Sequence, residues 1–369
     1  LADQNRILPV PRAFTDVTAE WLTAVLSPLH PGAEVVSATV DPHMGHKPNK
    51  ARIHLTYNEA GEKAGLPPTL VVKGTFNGTT SRGAIIDFSN TAELVSYRDI
   101  VPHLEINAPR LIYQNWETDP SESVVLLFED MADRGISYFP NGFATLNYGQ
   151  AARILKAMAR FQALSWNSPD FGDGGRWGPG TGAGENARLI RELYFDILPH
   201  SEHWASSVMS PRGAAMPRLL RDADRMERGW ERLVEMLSGH GLVIVHGDEH
   251  LGNLGMEPDG TPIFYDFLAR GEPWPLGLAR FLIPTLDMLD RRAWEKSLLA
   301  GYLDDLRRFG ADAPSFEEAW LAYRAAAICP LMVWLNNSSS WQPEATNTAN
   351  AARSAVAVLD HDSFGLLGF

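Results

Sequence analysis

The chain has 369 residues, of which 45% are apolar and 21% charged, enough for two domains or one domain of two lobes around a large core. A net charge of −13 and a pI near 5.3 argue against a nucleic-acid partner, which normally meets a basic face, although the same acidity suits a cationic substrate or mere solubility. One cysteine, Cys329, excludes an intramolecular disulfide framework, no apolar run reaches the length of a membrane span, and the N-terminus lacks a signal-peptide pattern, so the expectation is a soluble cytoplasmic protein without a membrane partner.

Residues 1–14 read as an irregular arm. Thr18 is an N-cap residue ahead of Trp21, Leu22, Val25 and Leu26 at helical spacing, which predicts a short helix. Strands are expected over Val35–Val40 and Arg52–Tyr57, joined by a polar loop containing Gly45, His46, Lys47, Asn49 and Lys50. Gly61 to Pro68 reads as a turn-rich connection. Leu70-Val-Val-Lys-Gly is an apolar strand that ends on Lys73, whose ammonium must either reach solvent or meet anions. A helix opening at Ser89 or Asn90 carries Glu93 in its first turns, where an acid also suits the helix dipole. Arg110–Trp116 and Ser123–Phe128 complete five strands, and with one helix they define a first lobe, 1–130.

The pattern beyond 131 is helical. Leu146 to Trp166 is amphipathic, with apolar residues at 151, 154, 155, 158, 161 and 164. Residues 168–184 are crowded with Gly and Pro; lacking the strand–loop–helix setting and the Lys-Ser/Thr ending of a phosphate loop, they read as a flexible insertion. Helices are expected near 185–199, 217–238, 276–290, 291–309, 315–337 and 346–360.

Between these helices lies the most informative stretch. The strand Leu242–Val245 stops at the polar knot His246-Gly-Asp-Glu-His-Leu-Gly-Asn253, and short strands Leu254–Met256 and Ile263–Tyr265 flank Pro258-Asp259-Gly260. Folded back on that turn, residue pairs summing to about 519 face each other, and Asn253 lies opposite Asp266 with Cα atoms roughly 4.5–5.5 Å apart. An amide oxygen and a carboxylate held side by side suit a hard cation such as Mg²⁺, with Asp248 projecting from the same loop. One acid to orient a hydroxyl, and an amide with a second acid to hold Mg²⁺, is what phosphoryl transfer requires.

His-Gly-Asp-x-x-x-x-Asn followed by a strand-borne Asp resembles the aminoglycoside phosphotransferase and choline kinase superfamily. Leu126-Leu-Phe-Glu-Asp-Met131 and Ala159-Arg-Phe-Gln-Ala-Leu-Ser-Trp166 look closer to its ecdysteroid-kinase-like branch than to its antibiotic-modifying members. The resemblance implies an α+β, bilobal protein-kinase-like fold, with an antiparallel five-stranded sheet plus helix in the N-terminal nucleotide-binding lobe and a larger, mostly helical C-terminal lobe, 131–369. It implies an ATP-dependent small-molecule kinase acting on a hydroxyl, with Asp248 as catalytic base, Asn253 beside it, and Asn253 and Asp266 holding Mg²⁺. ATP would meet Lys73, braced by Glu93, the loop of Gly45, and main-chain groups around Glu129 to Met131.

Two features depart from the family pattern. The loop after the first strand has Gly45 as its sole glycine. In Pro273-Trp-Pro-Leu-Gly-Leu-Ala, Gly277 stands where the family carries an aspartate bracing the catalytic loop; Asp287 and Asp290 are substitutes by sequence proximity only. A different class stays open, a metal-dependent hydrolase built on His246, Asp248 and His250, as does a catalytically silent nucleotide binder. For the acceptor, nine of eleven tryptophans follow residue 131, among them Trp166, Trp177, Trp334 and Trp341, which could wall an apolar pocket. The acids after 315 (Glu317, Glu318, Glu344, Asp360 and Asp362) are too scattered to mark a polycationic acceptor. Oligomeric state leaves no trace in the sequence.

Overall fold

The computed structural model describes residues 8–41, 49–76, 91–117, 123–139, 144–172, 174–177, 202–339 and 341–369. The chain divides into two compact units, Leu1–Arg98 with Ala108–Gly135, and Asp99–Asn107 with Ile136–Phe369.

The first unit is an antiparallel sheet of β1 (Val35–Asp41), β2 (Lys50–Tyr57), β3 (Thr69–Gly74), β4 (Leu111–Trp116) and β5 (Val124–Glu129), in the order β1-β2-β3-β5-β4. Alternation along β2 and β3 sends Ala51, Ile53, Leu55, Leu70 and Val72 to one face. Helix α1 (Ala19–Leu26), capped by the Thr18 hydroxyl on the Trp21 amide at 3.2 Å, lays Trp21, Leu22, Val25 and Leu26 into that core. Each fully buried leucine there stabilises the unit by ~1.5–3 kcal/mol. The inner strand β5, between β3 and β4, is buried on both faces, because Tyr97 meets Phe128 edge-on at 4.7 Å on the side away from α1. Tyr97 follows a helix at 91–95, α3, that runs on as a wider π turn over Ser96–Ile100. The expected connection after Tyr57 begins instead as a short helix, α2 (Glu59–Lys63), since the Asn58 side chain accepts the Gly61 amide at 3.0 Å and caps it.

The second unit is mostly helical. Helix α4 (Tyr148–Ser165) opens on a reciprocal Asn147–Gln150 cap, and α5 (Glu202–Met209), α6 (Pro211–Ala214) and α7 (Ala223–Leu237) follow. Two small sheets come next: β7 (Leu242–Val245) pairs antiparallel with β10 (Arg270–Pro273), and β6 (Ser137–Tyr138) pairs with β8 (Leu254–Met256), itself paired with β9 (Pro262–Phe264). Helix α8 (Trp274–Thr285) is buried at every residue, packed among β7, β10, α9 (Met288–Arg308), α10 (Phe316–Ala326), α11 (Ile328–Asn336) and α12 (Glu344–His361). A helix apolar on all sides belongs at the centre of a core, and its one charge, Arg280, must be paired there. The expected single helix over 315–337 is two, meeting at Ala327. Pro330 supplies the reason: without an N–H it is tolerated in the first turn of a new helix but not in the interior of a long one.

The helix expected at 185–199, residues 173 and 178–184 of the Gly-rich insertion, and Gly45 lie outside the described residues. Among the described residues no helix is long and apolar enough to cross a membrane.

Candidate active site

The site is assembled on the second unit from the buried end of β7. The ladder to β10 fixes Val245, and the Ile244 amide donates to Ser165 Oγ at 2.8 Å, so the chain leaves the sheet from a rigid base. His246 follows, fully buried against Phe267 with ring centroids 4.2 Å apart. Its Nδ1 accepts the Asp248 amide at 3.2 Å, so Nδ1 carries no proton, and Nε2–H donates to the Tyr265 carbonyl at 2.7 Å. Burial lowers its pKa further, which keeps the ring neutral.

Gly247 has φ +92°, and a Cβ there would fall 2.1 Å from the Leu268 carbonyl oxygen. Replacing it with Ala adds backbone strain and a collision with main chain, together costing about 3 kcal/mol or more; a circular-dichroism melt should show a clear fall in Tm.

Asp248 is half-exposed and is held by its neighbours. Asn253, 6% exposed, donates its amide nitrogen to Asp248 Oδ2 at 2.9 Å and to the Asp248 carbonyl at 3.1 Å. That donation fixes the orientation of the Asn253 amide, with Nδ2 toward Asp248. His250 accepts the Gly252 amide at Nδ1 over 2.9 Å, and its Nε2 lies 3.4 Å from Asp248 Oδ2.

The hairpin register differs by one residue from expectation. Pairs sum to 518, as in Leu254↔Phe264 and Met256↔Pro262, and the Tyr265 amide donates to the Asn253 carbonyl at 2.9 Å. The partner of Asn253 is therefore Tyr265, with Asp266 one residue further on. The cause is the turn: Pro258-Asp259-Gly260 is a three-residue loop with Gly260 at φ +85°, closed by the Glu257 amide on the Thr261 carbonyl at 2.9 Å. Asp266 itself sits at φ +53°, a left-handed conformation that Asp and Asn tolerate better than other side chains.

On the first unit Lys73 Nζ meets Glu93 Oε1 at 2.7 Å, with the two side chains 14% and 7% exposed. Lys73 stands opposite Leu126 in the ladder, on the face of β3 turned away from the α1 core. The pair is mostly shielded from water, where breaking an ion pair by removing one partner is costly. At the expected adenine contact, the Glu129 amide is already spent on the Arg110 carbonyl at 3.0 Å and the Met131 carbonyl on the Arg134 amide at 3.2 Å; the Met131 side chain is buried.

No protein-family model and no curated protein matches the sequence. Solved structures do. An ethanolamine kinase from Plasmodium vivax aligns over 93% of this chain and 87% of its own, at 10% identity and a TM-score of 0.52. A choline kinase from Cryptosporidium parvum aligns over 93% and 95%, at 11% identity and a TM-score of 0.53. This chain shares the fold of these two kinases. The α+β, kinase-like architecture expected from the motif is the one observed.

Sequence inspection missed a buried charge cluster beneath the loop. Glu249, 4% exposed, accepts Arg280 Nε at 2.8 Å, and Arg280 Nη2 reaches Glu272 Oε2 at 2.6 Å; Arg270 pairs with Glu272 from the other side. Burial opposes ionisation of Glu249, but the charge and hydrogen bonds of Arg280 outweigh it and hold its pKa below the usual range. A signal existed: Arg280 is the lone charge in Trp274-Pro-Leu-Gly-Leu-Ala-Arg-Phe-Leu-Ile283. Asp287, a candidate brace by proximity, caps α9 through the Leu289 amide at 2.8 Å instead. Cys329, behind Arg280, is buried and pushed up to about 11, so a thiol reagent at pH 8 should leave it unmodified until the protein is unfolded.

Proposed function

We propose that the chain is an ATP-dependent phosphotransferase that moves the γ-phosphoryl group to a hydroxyl of a small, partly apolar molecule. The observation that carries this is the Asp248–Asn253 contact in a loop whose amides at Gly247, Asp248, His250, Gly252 and Asn253 are each hydrogen-bonded within it. Phosphoryl transfer asks little covalent work of a protein; what it needs is a fixed acid and neutralised charge. With Oδ2 held by Asn253, Asp248 Oδ1 accepts the hydrogen bond of the attacking hydroxyl. It takes that proton as the new oxygen–phosphorus bond forms and the bond to the β–γ bridging oxygen breaks. Mg²⁺ fits the donor set, since Asn253 Oδ1 and the Asp266 carboxylate are hard oxygens and few, leaving places for water and phosphate. When bound it would supply charge neutralisation on the phosphates. Lys73, steadied by Glu93, is assigned to the phosphates, and the main chain of 129–131 that the ladder and turn leave over is assigned to adenine.

The likeness in fold to an ethanolamine kinase and a choline kinase supports a small hydroxyl-bearing acceptor. Its partly apolar character is supported by Trp334, buried and edge-on to His250 at 5.7 Å. Three of the five late-helix acids are engaged elsewhere: Glu344 with Arg212, Asp360 with Arg291 and Arg292, Glu318 in the cap at Ser315. The hydrolase alternative is disfavoured because both ring nitrogens of His246 are committed to main chain.

Thermal melting with ATP tests the proposal. At about 100-fold over Kd a ligand stabilises by ~2.7 kcal/mol, so ATP with Mg²⁺ should raise Tm and EDTA should remove the rise. Indifference to ATP, or stabilisation by Zn²⁺ alone, would refute it.

A further inference from the structure

We infer that Glu249, clamped by Arg280 and standing in the space left by Gly277, is the residue that positions Asp248. The inference rests on Asp248 being the catalytic acid. Glu249 directly follows Asp248, yet its side chain turns inward, 2% exposed, and its Oε1 accepts the Gly247 amide at 3.2 Å. The Asp248 amide, one residue on, is taken by His246 Nδ1. The two peptide groups on either side of the Gly247 Cα are thus tied to buried acceptors, and the second of them sets the backbone from which the Asp248 side chain departs.

Gly277 makes this arrangement possible. A Cβ built there would lie 3.3 Å from Glu249 Oε1 and 2.9 Å from Val245 Cγ1, so any side chain on that turn of α8 competes with the carboxylate for one volume. Arg280, one turn further along the same buried helix, holds both Glu249 oxygens, at 2.8 and 3.4 Å, and ties them to Glu272 on β10. The carboxylate under the loop comes from the loop itself, and the glycine on the helix is its counterpart. An isolated buried carboxylate would be expensive; one paired and fully hydrogen-bonded forms a rigid support. Cluster and glycine together point to positioning rather than surface solubility, because no solvent-facing role requires an empty Cβ site on the facing helix.

The exchange is testable by moving the carboxylate. Four forms are compared, wild type, E249A, G277D and E249A/G277D, by hydrogen–deuterium exchange of the peptide covering 245–251 and by ADP release from Mg-ATP with water as acceptor. E249A should raise exchange at the Gly247 and Asp248 amides and lower kcat about 10²-fold, while KM for ATP stays within about twofold. G277D alone crowds two acids together and should also be impaired. E249A/G277D should regain protection and most of the lost kcat. If circular dichroism shows that the double variant does not fold, V245A/E249A/G277D, which removes the 2.9 Å contact, takes its place. Unchanged exchange in E249A, or a folded double variant no better than E249A, would overturn the inference. If wild type releases no ADP to water, the exchange arm decides whether Glu249 positions the loop, and the kinase proposal stands or falls on transfer to an alcohol.

Discussion

Asp248→Asn should lower phosphotransfer by about 10²–10⁴-fold and leave Mg-dependent stabilisation by ATP intact. The substitution is close to isosteric: the amide oxygen of Asn can still accept from Asn253 Nδ2, which in the native protein donates to Asp248 Oδ2 at 2.9 Å. The amide nitrogen that replaces the other oxygen cannot take a proton from a hydroxyl. Because the Asp248 side chain is 45% exposed, the change should cost little stability, so the loss falls on kcat. Steady-state ADP release read beside a thermal-shift titration separates the two effects. Retained turnover in D248N would remove the catalytic base from the scheme.

Asp266→Asn should act at a different step. Asn is among the few residues at ease at φ +53°, so the backbone stays where it is and the carboxylate charge alone is lost, which Ala would confound with strain. Stabilisation by ATP should then shrink in Mg²⁺ and be unaltered in EDTA, and turnover should fall about 10²-fold or more. The diagnostic is the contrast: D248N keeps the metal-dependent shift and D266N loses it. Equal shifts in both variants would mean that Asp266 holds no metal.

How far the sequence reaches can be judged residue by residue. The five strands of the first unit and the long helices were legible because their hydrophobic periods are local, as in Ala51, Ile53 and Leu55 or in the capped run from Asn147 to Ser165. The hairpin was legible as a hairpin, but its register turned on one residue: whether the loop counts as three residues centred on Asp259. Two kinds of feature left no local trace. Strand β10 is four residues of Arg-Gly-Glu-Pro, polar by composition and recognisable only through its ladder to Leu242–Val245. The Glu249–Arg280 pair spans 31 positions, and a carboxylate that turns inward reads in sequence like one that turns out. Gly277 was visible, whereas Glu249, which lies against it, stood at a variable position inside the motif.

The proposed activity is transfer of a phosphoryl group from ATP to an alcohol. The most direct measurement is mass spectrometry of a panel of small alcohols, amino alcohols and apolar hydroxyl compounds incubated with the protein, ATP and Mg²⁺. At least one compound should gain a single phosphate group, with one ADP formed per product, and D248N should abolish both. ATP left intact and every alcohol unmodified, under conditions where Mg-ATP demonstrably binds, would contradict the account.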